Sequence, residues 1–191
     1  MANNDTTLVT SAKPLVTGAL NAAPVGTTLP TDASTGIGSA FKNLGYVSED
    51  GLTNAVERDS EDVPAWGGDI VMSSQTSYKE TFSWTFIQAM DPDVLAEVYG
   101  ADNVTTDPKG VKVLHNSKTL PHRAYVIEML LTGDRIKRIV IPDGQITEVG
   151  DVTYKDGEPV GYEITLTAFP DKEGNTSYDY ITPVKTSTSG S

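Results

Sequence analysis

The twelve residues SYKETFSWTFIQ, 77–88, restrict the fold more than any other stretch. Tyr78, Phe82, Trp84 and Phe86 fall on one side of an extended chain, broken only by Glu80, while Lys79, Thr81, Ser83 and Thr85 fall on the other. Side chains alternate across a strand, so this period of two reads as a strand with one aromatic, core-facing side and one small, polar, water-facing side. An aromatic face needs a second layer to cover it, which makes the chain a layered β protein.

Other segments carry the same signal. FKNLGYVSEDGLTNAVER reads as a hairpin turning at Glu49-Asp50-Gly51, and RAYVIEMLL and DRIKRIVIP as a second hairpin joined at Thr132-Gly133-Asp134. VKVLH, GQITEV and VGYEITLTAF supply further strands. DPDVLAEVYG is the one helix signal: Asp91 can cap it, Pro92 suits its first turn, Gly100 ends it, and Val94, Leu95 and Val98 with Tyr99 form an apolar stripe that reads as core packing. Residues 59–77 are rich in Asp, Ser, Gly and Pro and read as a long inter-strand connection. Ordinary connections run to about 4–6 residues, so one this long has a task of its own or lacks order. The predicted class is therefore mainly β: a β-sandwich or barrel with one short α-helix, an extended N-terminal arm and a long loop. The predicted division is an arm over 1–40, a β-sandwich domain over 41–182 with its helix near 91–100, and a flexible tail over 183–191.

A chain of 191 residues suits one domain with a sizeable core. No run of about 18 apolar residues is present, so no membrane partner is predicted. MANNDTTLVT has neither the basic start nor the apolar stretch of a signal peptide, which places synthesis in the cytoplasm. With no cysteine there is no disulfide, thiol catalyst or thiolate metal site. The net charge is −12, unevenly spread: residues 49–110 carry thirteen acids and three bases, residues 111–141 six bases and two acids, and residues 142–191 nine acids and three bases. A protein this acidic repels nucleic acid unless a basic patch is hidden in it. Its split charge could instead pair one copy with the next, or be ordinary surface patchiness.

No catalytic or cofactor motif appears: there is no glycine-rich dinucleotide or phosphate loop and no nucleophile elbow. His115 and His122 alone fall short of a zinc site. Asp59, Glu61 and Asp62 lack the order of a calcium-binding loop. Trp66 and Trp84 near carboxylates leave a sugar-binding module open, with a sugar-cleaving site less favoured. No enzyme activity, cofactor or metal is predicted. The loop containing Asp59, Glu61, Asp62, Trp66, Gly67, Gly68 and Asp69 reads best as an assembly edge. Tryptophan is enriched at the centres of interfaces, and glycine lets backbones approach. Lys112, Arg135, Lys137 and Arg138 are the candidate complementary cations on another copy.

The strings LGYVSEDGLTNAVERDSEDVPAWGGDIV and YKETFSWTFIQAMDPDVLAEVYG together resemble the major tail tube proteins of long-tailed bacteriophages, most closely those of phages infecting actinobacteria. The resemblance rests on the G-Y-x-S-E-D-G segment, the acidic run into Ala65-Trp66-Gly67-Gly68-Asp69, the aromatic strand and the helix ending at Tyr99-Gly100; it covers about residues 41–100, and later strands fit by pattern only. It implies homohexameric rings stacked into a tube, an inter-ring loop near Asp59–Ser77, and terminal arms that bridge subunits. It implies a tape-measure protein in the lumen during assembly, tail terminator and baseplate or tail-tip partners, and viral DNA passing through unbound. Such a protein would be made in the host bacterial cytoplasm and end in the virion. Positions opposite the apolar strand faces, Thr53, Glu57, Thr81, Ser83, Thr85 and Glu128, are the candidate lumen-facing set. Competing readings are a contractile-type inner tube, a secretion-tube ring, a capsid decoration protein, or a β-sandwich module for sugar or calcium.

Overall fold

A computed structural model describes residues 4–15 and 18–182. Its strands are β1 (Ala12–Pro14), β2 (Leu20–Pro24), β3 (Lys42–Asn43), β4 (Val47–Pro64), β5 (Ile70–Phe86), β6 (Val104–Asp107), β7 (Gly110–Val113), β8 (Arg123–Leu131), β9 (Arg135–Val149), β10 (Tyr162–Ala168) and β11 (Tyr178–Ile181), with helix α1 (Pro92–Tyr99) between β5 and β6. The main sheet has the order β3-β2-β8-β9-β10-β5-β4, with β1 also on β8 and β11 also on β9; β6 and β7 form a separate hairpin. The fold is thus mainly β with one helix, as the alternation predicts.

Strands β3 and β4 stand at opposite ends of this order, yet only residues 44–46 separate them in the chain. The sheet therefore rolls until its ends approach each other. The roll encloses one core in which Leu20 of β2, Tyr125 and Ile127 of β8, Ile146 of β9, Leu166 of β10 and Phe82, Trp84 and Phe86 of β5 meet Val94, Leu95 and Val98 of α1. Each fully buried large side chain there contributes about 1.5–3 kcal/mol. Trp84 meets Phe86 edge-on, with ring centroids 5.6 Å apart at 88°. The helix forms where its signals put it: the Asp91 carboxylate accepts from Asp93 N at 2.9 Å, Pro92 opens the first turn, and Gly100 closes the last at φ 90°. At the helix, buried Glu97 lies 3.0 Å from the Arg123 guanidinium and accepts from the Tyr125 hydroxyl at 3.1 Å. Burial pushes the Glu97 carboxyl up, against the Arg123 charge that pulls it down.

A second apolar cluster lies on the other side of β2, β8 and β9, where Ala23, Ala124, Val126 and Val140 pack with Phe41 and are flanked by Leu29, Ile37, Tyr178 and Tyr180. On this side Glu128 is 7% exposed and Arg138 3%. Arg138 donates to Glu128 Oε1 from Nε at 3.0 Å and from Nη2 at 2.6 Å, and from Nη1 to the Asp32 carbonyl at 2.5 Å. Hydrogen bonds from Thr35 and Ser34 hold the Asp32 carboxyl well below the usual range.

Four sequence expectations are corrected. Residues 59–77 are the outer part of a long hairpin, with β4 and β5 paired from Leu52↔Trp84 to Pro64↔Ile70. Glu49-Asp50-Gly51 is a bulge inside β4 between the pairs Val47↔Phe86 and Leu52↔Trp84, with Gly51 at φ 76°. DRIKRIVIP and GQITEV are one strand, β9, running through Pro142 and Gly144. Within the predicted arm, Leu20–Pro24 is an inner strand whose Ala22 and Ala23 have no exposed surface, because small side chains allow close packing that composition does not reveal. The predicted tail at 183–191 lies outside the described residues.

Candidate assembly surface

Beyond Glu80, the last residue of β5 paired with β10, strand β5 continues to Ile70 with β4 as its only partner among the described residues. At about 3.3 Å per residue, this two-stranded arm stands roughly 25–30 Å clear of the sheet. Both its faces are exposed from Glu57 to Ser77, so no apolar alternation marks it. Cross-strand pairs hold it instead: Ser77 Oγ donates to Asp59 at 2.6 Å, Arg58 Nη1 donates to Gln75 at 3.0 Å, and the Arg58 guanidinium lies 4.5 Å from the Tyr78 ring centre.

The tip is closed by Ala65 N to the Asp69 carbonyl at 2.7 Å and Gly68 N to the Ala65 carbonyl at 3.0 Å. Gly67 and Gly68 both have positive φ, 120° and 98°, which side chains rarely adopt. This turn presents Trp66 wholly to solvent, at 107% relative exposure, with Val63, Ile70, Val71 and Met72 also exposed. The sequence reading placed Trp66 at an edge but missed those four; their signal was the apolar residues flanking the turn in VPAWGGDIVM. Glu57, Asp59 and Glu61 alternate onto one face of β4, Asp62 lies on the other, and Asp69 ends the turn. An exposed apolar tip on a long strand edge is costly to leave uncovered and invites pairing with another chain.

The same face of β4 that carries Glu57 continues onto the body as a polar wall. The register aligns Thr53, Ser83, Thr165 and Glu148 in one row and Ala55, Thr81, Thr167 and Gln145 in the next, with Thr85 opposite Glu163. Ser83 and Thr165 hydroxyls lie 3.4 Å apart, and Thr147 and Thr167 hydroxyls 2.9 Å apart. Within these rows and the adjoining pair Glu57↔Lys79 the one cation is Lys79, and Lys118 borders them beside Gln145, Thr147 and Glu148. Five of the six predicted lumen-facing residues therefore share one surface. Glu128 does not; its pairing with Arg138 under residues 32–37 removes it from solvent.

The predicted cations separate similarly. Arg138 is committed to Glu128, Lys137 to Asp179 at 2.6 Å, and Arg135 donates to the Thr132 and Thr7 carbonyls. Lys112 is exposed on β7, and with Lys109 and Lys118 it makes no ion pair among the described residues. Lys109 and Lys112 lie with exposed Val111 and Leu114 on or beside the β6–β7 hairpin, whereas Lys118 lines a groove with Gln145, Thr147 and Glu148.

Trp66 stands at the arm tip while Trp84 is buried, so the two form no shared platform for a sugar. His115 lies against Tyr99 with ring centroids 4.5 Å apart and the planes tilted by 56°, His122 lies 2.6 Å from Asp143, and no group of three or more metal-binding side chains converges among the described residues. No helix among these residues is long and apolar enough to cross a membrane. In comparisons with known proteins, no curated protein matches the chain. The family model described as phage tail tube protein matches residues 1–189, almost the whole chain.

Proposed function

Because the chain belongs to the phage tail tube protein family, and is on that ground a structural component of the phage tail, we propose that it closes into homohexameric rings that stack into the tube of a long, non-contractile tail. The resemblance of residues 41–100 points to a phage of an actinobacterial host. The projecting arm carries this reading: a two-stranded element with a fully exposed tryptophan at its tip gains no packing in a lone copy and is the kind of exposed apolar surface that marks a contact with another chain. In the stack, the arm of one subunit reaches the adjoining ring, its apolar tip is covered, and Glu61, Asp62 and Asp69 face Lys109 and Lys112 of that neighbour. Those lysines follow α1 in the chain, after the end of β5 remote from the tip. Such a contact is head-to-tail, and repeated head-to-tail contacts produce an open filament.

The polar wall of Thr53, Glu57, Thr81, Ser83 and Thr85 lines the bore. Each Lys or Arg contact to phosphate would add salt-sensitive affinity for DNA, so hydroxyls and carboxylates keep a passing polyanion unbound. A tape-measure protein occupies the bore during assembly, and terminator and baseplate or tail-tip proteins close its ends. Electron microscopy of the purified protein across concentration and salt tests the proposal. Hollow tubes with six-fold end views are expected; a monomer under every condition would overturn it.

A further inference from the structure

Glu80 interrupts the aromatic face of β5 and is 6% exposed. It stands where the sheet gives way to the arm, opposite Ala168 at the end of the β5–β10 ladder. Its carboxylate accepts from Asn54 Nδ2 at 3.0 Å, from the Thr176 hydroxyl, from Ser177 Oγ at 3.1 Å to either oxygen, and from the Tyr78 hydroxyl at 3.5 Å. Every donor is neutral. The nearby cation, Arg58, is turned to Gln75 and the Tyr78 ring. A buried carboxylate without a counter-ion is costly, and an aliphatic side chain here would continue the apolar face at lower cost. The donors come from β4, from β5 and from the segment that leads into β11. Beyond Ile181 the chain is held by Thr182 N to the Ile136 carbonyl at 2.9 Å.

We propose that Glu80 is a clasp joining the base of the arm to the entry of β11, so that the arm and the C-terminal edge strand are ordered together and released together. A displacement of the arm is then felt at residues 174–181. This coupling belongs to the single subunit and stands whether or not the arm contacts another ring.

Amide hydrogen exchange on the isolated protein tests it with two variants. Thr176→Val with Ser177→Ala removes the far-side hydroxyls, including the 3.5 Å contact of Thr176 with the Tyr78 hydroxyl, and speeds exchange by about tenfold at residues 54–58 of the arm base, which meet the far segment through Asn54 and Glu80. Glu80→Leu restores the apolar alternation and frees residues 174–181 by a similar factor, while its melting temperature stays within a few degrees of the parent. Exchange that rises only in the altered segment would overturn the proposal. So would a Glu80→Leu protein that melts far lower with faster exchange throughout the core, because Glu80 would then be an ordinary structural contact. If Glu80→Leu fails to fold, the Thr176/Ser177 variant alone decides.

Discussion

Replacing Trp66 with alanine separates folding from assembly, because Trp66 is 107% exposed and has no packing to lose in the free subunit. Surface substitutions of this kind shift stability by less than about 0.5 kcal/mol, so the melting temperature should hold. In the proposed ring-to-ring contact the indole is covered. An indole buries roughly 200 Å², and at about 25 cal/mol per Å² this is on the order of 5 kcal/mol before ordering costs. Alanine scans of buried interface tryptophans return about 2–4 kcal/mol. At about 1.4 kcal/mol per tenfold, the critical concentration for tube growth should rise roughly 30- to 700-fold. Sedimentation of a dilution series, with the pellets imaged by negative stain, measures it. An unchanged critical concentration would refute the assignment of Trp66 to a ring-to-ring contact; a lowered melting temperature would refute the claim that the arm tip is independent of the core.

Four further outcomes are expected. Lys109→Glu with Lys112→Glu should weaken tube growth and flatten its salt dependence, read by light scattering at several ionic strengths, because pairing at an interface rim is screened by salt. Thr81→Lys with Thr165→Lys should still yield tubes but make them retain DNA at low salt, read by co-sedimentation. Arg138→Ala leaves Glu128 buried and unpaired, a loss of about 3–5 kcal/mol in chemical denaturation. The pH profile should show two opposite slopes. Glu97 has a folded pKa above its ordinary 4.5, so its stabilisation is present below 4.5 and lost as pH rises through the folded value; Glu97→Gln should flatten that limb. Asp32 is depressed, so its stabilisation is present above 3.8 and lost as pH falls through the folded value; Asp32→Asn should flatten that limb in melts below pH 4.

The body of the fold was legible wherever one strand face is dry. Phe82, Trp84 and Phe86 announced β5, and Asp91, Pro92 and Gly100 bracketed α1, because burial and capping each leave a residue pattern. The arm was not legible as strand. With water on both sides it is held by pairs such as Asp59–Ser77 and Arg58–Gln75, whose residue types are those of loops. Gly51 looked like a hairpin turn because a bulge and a turn use the same positive φ. The division of charge into blocks was visible in the sequence, but which charges cancel inside the chain was not. Glu128 and Arg138 lie on neighbouring strands, and only the β8–β9 register, which pairs them directly, reveals that they neutralise each other.

The register Leu20↔Ile127 has a consequence for biosynthesis. Strand β2 lies between β3 and β8, and its long partner is translated more than a hundred residues later. Contacts so remote along the chain close slowly, whereas the β4–β5 strands are complete, and their local pairing can be sampled, long before β8 is made. The nascent polypeptide therefore displays its exposed apolar tip residues well before the body that should carry them has closed. In a cell making many copies at once, the order of these two events sets how long each chain can meet another while still unfinished.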